Sequence, residues 1–221
     1  MEKNRHRDLF WGEKARADTV QKFLIVQKAH YINLSDNPVE SIFRKDLKEV
    51  YIIELVDKQN NENRRSYVVG CKVAGSLLEL TDQKPIPLFH PFSDRQPDTS
   101  PSRSPSKTAA TSKSSRQRTP LNEELYQALS IVLSVYGYKR PDGLFANLLV
   151  EVRDEFPGYD VKEYKIRNFD KALKKFGRTL YEIIADLRSR YPELRDFSFP
   201  LMEQILGPDS SIGQPPVKPA H

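Results

Sequence analysis

Residues Thr119 to Gly177 constrain this chain more than any other stretch, because three amphipathic segments follow one another there with only short turns between them. In the first, Leu121, Leu125, Ala128, Leu129, Val132, Leu133 and Tyr136 recur at steps of three and four, so they share one side of a helix. Thr119 suits the N-cap, and Pro120 suits the first helical position, where no amide hydrogen is needed. Gly137 stops the segment, and Pro141-Asp142-Gly143 reads as a turn. A second helix would carry Leu144, Phe145, Leu148, Leu149, Val152 and Phe156 inward and end at Pro157-Gly158. Asp160 with Glu163 three residues later resembles a capping box for the third. Its apolar stripe is Ile166, Phe169, Leu173 and Phe176.

Beside that stripe, turned by about 100°, run Arg167, Lys171, Lys174 and Arg178, with Lys162 and Lys165 as flanks. From Lys162 to Arg178 the local balance is +5. A helix that is apolar on one side and cationic beside it can dock on a core and present charge to phosphates. The same lysines can also simply solvate an exposed face.

The run Asp142-Gly143, Phe156-Pro157-Gly158-Tyr159-Asp160, Tyr164 and Ile166-Arg167-Asn168-Phe169 is similar to the LOTUS (OST-HTH) domain family. Tyr159 stands for the usual Phe before Asp, Tyr164 for the Tyr, and Ile166 for the aromatic that follows. Lys165 replaces the expected Gly, and Leu144-Phe145 replaces the expected Trp. The resemblance covers about a quarter of the chain. It implies a winged-helix-like fold and RNA binding, with no catalysis. Some members of that family instead recruit proteins such as helicases. DNA binding stays open as well, because winged-helix and helix-turn-helix domains share these patterns.

The N-terminal part resembles nothing recognisable. Leu9-Phe10-Trp11 is an aromatic cluster that either packs on the first domain or serves as a docking motif. A helix is expected from Gly12 to about Leu34, and a short one over Val39, Ile42, Phe43 and Leu47. Val50 to Val56 reads as a strand, Asp57 to Asn63 as a loop, and Ser66 to Val73 as the returning strand, with Leu77 to Leu80 as an extension. Such a hairpin needs a third strand or a partner to bury both faces.

Between these parts, residues 93–119 are Ser, Pro, Thr, Lys and Arg with almost no apolar side chain, and carry +4 of the chain's net +5. Such a segment cannot offset its ordering entropy. Ser100-Pro101 and Ser104-Pro105 have the look of proline-directed phosphorylation sites, which would discharge it. The expected organisation is therefore α+β: a small module at 1–92 with a helix and an antiparallel hairpin, and a flexible basic linker at 93–119. A mostly helical, winged-helix-like domain at 120–206 and a disordered tail at 207–221 complete it.

The lone Cys71 excludes an intramolecular disulfide and suits a reducing, cytoplasmic setting. Placed in the returning strand, it reads as a buried, inert thiol. His6, His30, His90 and His221 are scattered without metal-ligand spacing, and no phosphate-binding glycine loop is present. No cofactor, metal, membrane span or catalytic set is expected, and the oligomeric state is left open.

Overall fold

A computed structural model describes residues 7–36, 39, 41–43, 46–92, 118–137, 143–155 and 158–213. The architecture is α+β. Helix α1 (Gly12–Lys22) leads into strands β1 (Phe23–Ile32), β2 (Glu49–Asp57) and β3 (Arg64–Val69). Helix α2 (Cys71–Leu80) follows. Beyond the linker come α3 (Pro120–Tyr136), α4 (Leu144–Val150, continued by a π-helical turn over Glu151–Glu155) and α5 (Glu163–Lys174). Helices α6 (Leu180–Arg190) and α7 (Pro200–Leu206) close the fold.

The sheet is antiparallel with order β1-β2-β3. Its central strand is buried from Val50 to Val56, an apolar run interrupted only by Glu54. Tyr51, Ile53 and Leu55 pack with Phe10, Tyr67, Val69, Ala74 and Leu77, under α1 and α2. Val50 and Ile52 point the other way, into a cluster with Leu125, Leu129, Leu149, Phe169 and Ile183 of the later helices. The hairpin thus finds its third strand in β1 and a helical layer on each face. The sheet and the helices of 120–206 share this apolar cluster, and Leu34 N–H also donates to the Ser134 carbonyl (2.8 Å).

Several sequence expectations are corrected here. The helix expected over 12–34 ends at Lys22, and Phe23–Ile32 is strand. The apolar spacing of that stretch is compatible with either period, and its aromatic and β-branched residues gain a full ladder against β2. Val39, Ile42, Phe43 and Leu47 are not helical; Leu47 N–H bonds the Val39 carbonyl instead (3.4 Å). The returning strand stops at Val69, so Leu77–Leu80 extends no sheet and belongs to α2. Cys71 opens that helix and is exposed, not buried in a strand. Its partial burial and the nearby Glu49 push the thiol pKa up, which disfavours the thiolate.

The three amphipathic segments fold as helices, with changed edges. Thr119 accepts the Asn122 N–H (3.3 Å) as the N-cap of α3, with Pro120 behind it. Asp160 does not cap α5, which starts one residue after Lys162 and has no side-chain cap. The reciprocal capping box lies instead at α6, where Thr179 and Glu182 exchange bonds of 3.1 and 2.8 Å. Leu144 and Phe176, expected inside, are substantially exposed. Phe176 still stacks on Tyr136 (4.6 Å between ring centres) and Phe145 (5.7 Å), so it seals the rim of the core. Residues 207–213 are part of the fold: Ile212 is buried, and Leu180 N–H donates to the Ser211 carbonyl (2.6 Å). Pro141-Asp142, Phe156-Pro157, most of the linker with its Ser-Pro pairs, and the tail after 213 lie outside the described residues.

One buried side chain sets the approach to α5. Asn122 is fully enclosed in α3; its Nδ2 donates to the Tyr159 carbonyl (2.7 Å), and its Oδ1 accepts the Val161 N–H (2.8 Å). Asn122→Ala should cost about 2 kcal/mol, because it leaves a buried amide and carbonyl unpaired. Urea denaturation measures the loss. Faster hydrogen exchange at the Val161 amide would locate it.

Candidate nucleic-acid interface

Helix α5 is held by its apolar edge. Ile166, Phe169 and Leu173 are completely buried, and Phe145 meets Phe169 edge-on (5.6 Å between ring centres). Asp170 is buried as well, since it faces the returning segment 207–213. Its Oδ1 accepts from Ser211 N–H (2.7 Å) and Ser211 Oγ–H (2.6 Å), and its Oδ2 meets Lys174 Nζ at 2.8 Å. Burial alone would raise this carboxyl's pKa, but the Ser211 and Lys174 hydrogen bonds outweigh it and hold the group below the usual range.

The six basic residues singled out from the sequence fall into three groups. Lys165 and Arg178 serve the fold. Lys165 is mostly buried and pairs with Glu151; Arg178 bonds the Glu182 carbonyl (3.1 Å) and lies 3.6 Å from Asp186. Arg167 and Lys174 are half exposed and carry helix-spaced partners, Glu163 at 3.5 Å and Asp170 at 2.8 Å. The Arg167–Glu163 pair is exposed on both sides and contributes little in water, so Arg167 can exchange it for a phosphate, whereas Lys174 keeps the buried Asp170 carboxylate compensated and offers a phosphate only its remaining donors. Lys162 and Lys171 are exposed, with no ion pair among the described residues.

The structure adds Lys175, which the spacing argument passed over because it lies one step off the stripe. It too is exposed and unpaired among the described residues. Across the exposed side of α5 and its two flanking residues stand Lys162, Arg167, Lys171, Lys174 and Lys175, against Glu163 as the one exposed carboxylate. Tyr164 sits on the same side, more than half exposed, so it is not part of the core. Tyr159, held by the Asn122 clamp, is exposed to 77%. The helices after α5 leave this side uncovered: α7 packs against α5 but also against α3, whose Glu124 caps it by accepting Leu201 and Met202 N–H (3.2 and 3.0 Å).

No group of acidic, His or Cys side chains among the described residues is arranged to hold a metal ion. No helix among them is long and apolar enough to cross a membrane.

The sequence matches one family, described as Uncharacterised conserved protein UCP028583, over residues 38–216. The chain belongs to that family. The matched region takes in β2, β3, the linker and every helix from α2 to α7, so the family spans both faces of the sheet. It omits α1 and β1. No curated protein and no solved structure matches the chain significantly.

Proposed function

We propose that the chain is a non-catalytic, cytoplasmic RNA-binding protein. Its LOTUS-like helical layer presents α5 to the phosphate backbone. The observation that carries this reading is the exposed side of α5, where five cations stand against a single exposed carboxylate, Glu163. Point cations on a rigid helix read backbone shape and spacing, so binding should depend on salt and little on base sequence. The contact set is Lys162, Arg167, Lys171, Lys174 and Lys175.

A protein-recruiting adaptor is the second reading. Exposed Tyr159, Tyr164 and Tyr181 favour it, because solvent-facing aromatics commonly anchor protein interfaces.

The test uses the full chain. Lys174 is a poor target, since its loss would strip a buried carboxylate of its partner. Lys171→Gln with Lys175→Gln removes two exposed charges and should leave stability within about 0.5 kcal/mol. The slope of log affinity for single-stranded RNA against log salt should become shallower by about 1.4. Lys107→Gln with Lys113→Gln removes the same charge from the linker and serves as control. A loss confined to the linker variant would remove α5 as the site, and no salt-dependent RNA affinity at all would leave the adaptor.

A further inference from the structure

The second face of the sheet carries a groove that the RNA reading does not use. It has a volume of about 960 Å³ and runs between the N-terminal turn, the segment before β2 and the start of α2. Phe10, Leu47 and Val73 give it an apolar floor, and Trp11 and Phe43 stand at its wall. Those two rings lie 5.6 Å apart at an interplanar angle of 46°. Trp11 is exposed to 61%, while its neighbour Phe10 is buried against Tyr67. One residue of the aromatic cluster therefore anchors the segment, and the next is turned out.

A cation already stands on this aromatic pair. The Arg7 guanidinium lies 4.4 Å from the centre of the Trp11 ring and 5.9 Å from that of Phe43. Arg7 is an exposed residue with no ion pair among the described residues, and its side chain rests on these two rings. A planar cation over an aromatic face is worth two- to fivefold in equilibrium at an exposed site. That is weak enough to be displaced. Carboxylates on the same groove, Glu13 and Asp46, have no ion pair among the described residues and could meet an incoming guanidinium. Lys48 and Lys72, also on the groove, have no ion pair among the described residues, and Arg16 is engaged by Ser76 and the Phe10 carbonyl.

We infer that the Trp11–Phe43 wall is a receptor for an arginine side chain of a peptide partner, and that Arg7 is its built-in competitor. An extended peptide would place one guanidinium over Trp11, near Glu13 or Asp46, and lay neighbouring apolar atoms on the groove floor. Arg7 must leave first, so the apparent affinity is reduced by the fraction of chains in which it covers the ring. The groove's lining charges balance, Glu13, Asp46 and Glu49 against Arg16, Lys48 and Lys72, so the guanidinium is recognised by the aromatic wall and a local carboxylate rather than by a net field. The two sites are independent.

Trp11 is the chain's single tryptophan, and so its fluorescence reports this wall alone. A glycine–arginine repeat peptide, fluorescein-labelled, is titrated against the full chain while its anisotropy and the Trp11 emission are followed. The expected result is binding that perturbs Trp11 emission, tightens about threefold in Arg7→Ala, and is lost in Trp11→Leu and in Phe43→Leu. Removing any positive charge favours a cationic peptide, so Lys14→Ala is the control. Lys14 is exposed, lies on the same N-terminal segment and touches neither ring. Equal tightening in Arg7→Ala and Lys14→Ala would overturn the inference, as would unchanged affinity in both ring variants. An affinity that depends on protein concentration would mean that a second copy fills the slot, and would overturn it too.

Discussion

Phe169→Ala is expected to destabilise the chain by about 3–5 kcal/mol, the range for truncating a buried aromatic in a core that cannot collapse. Phe169 is wholly excluded from solvent and meets Phe145 edge-on. It sits on the inner side of α5, opposite the lysines, so the loss should come from a cavity and not from altered surface charge. Equilibrium urea denaturation measures it. The form of the transition is informative as well. Phe169 shares one apolar cluster with Val50 and Ile52 of the sheet. A shared core should unfold in a single step, with far-ultraviolet and tyrosine signals moving together. Two separate transitions, only one of them shifted by the substitution, would mean that the helices and the sheet fold as distinct units. A loss under about 1 kcal/mol would show that this side of α5 is open to repacking or water.

The helices of 120–206 were legible because each buries one side, and one-sided burial leaves a period in the sequence. Ile166, Phe169 and Leu173 show it, and so do Leu125, Leu129, Val132 and Leu133. β1 was not legible. Its residues are enclosed from Gln27 to Tyr31 on both sides, so the alternation that marks a strand is missing, and Lys22 joins it to a helix without a breaker. What decides its state is the ladder to β2, from Phe23 opposite Asp57 to Ile32 opposite Glu49, which is long-range information. The candidate interface was legible in outline for the same reason as the helices. A basic stripe can be counted from sequence; which of its charges are already occupied cannot. Lys165 and Arg178 face Glu151 and Asp186, partners at separations no helix period reveals. Asp170 looked like a charge opposing the lysines, yet it is buried and satisfied by Ser211, from a segment whose composition suggested disorder. The Trp11–Phe43 wall was invisible in sequence, because its rings come from segments brought together only by the fold.

The second large effect is expected where the sheet meets the helical layer at a charged pair. Lys28 and Glu54 are both enclosed, and Lys28 Nζ lies 2.5 Å from Glu54 Oε1 and 3.0 Å from Asn147 Oδ1 of α4. The ladder between β1 and β2 shifts register at Lys28, between Gln27 and Ala29. A bulge of this kind re-aims one side chain. Here it turns Lys28 onto the face that carries Glu54 and Ser66. Lys28→Met would leave the Glu54 carboxylate with the Ser66 hydroxyl at 3.5 Å and the largely exposed Arg64 at 3.9 Å. Removing one partner of a buried pair costs about 3–5 kcal/mol, since the remaining charge keeps its desolvation penalty without its compensation. The double variant, Lys28→Met with Glu54→Leu, removes both charges at similar volume and should recover most of that loss, because an intact buried pair contributes little net stability. Recovery would separate the two roles: the pair would fix how α4 sits on the sheet rather than how tightly it is held. Should the single variant lose less than about 1 kcal/mol, water reaches Glu54, and the junction between sheet and helices is wetter than its packing implies.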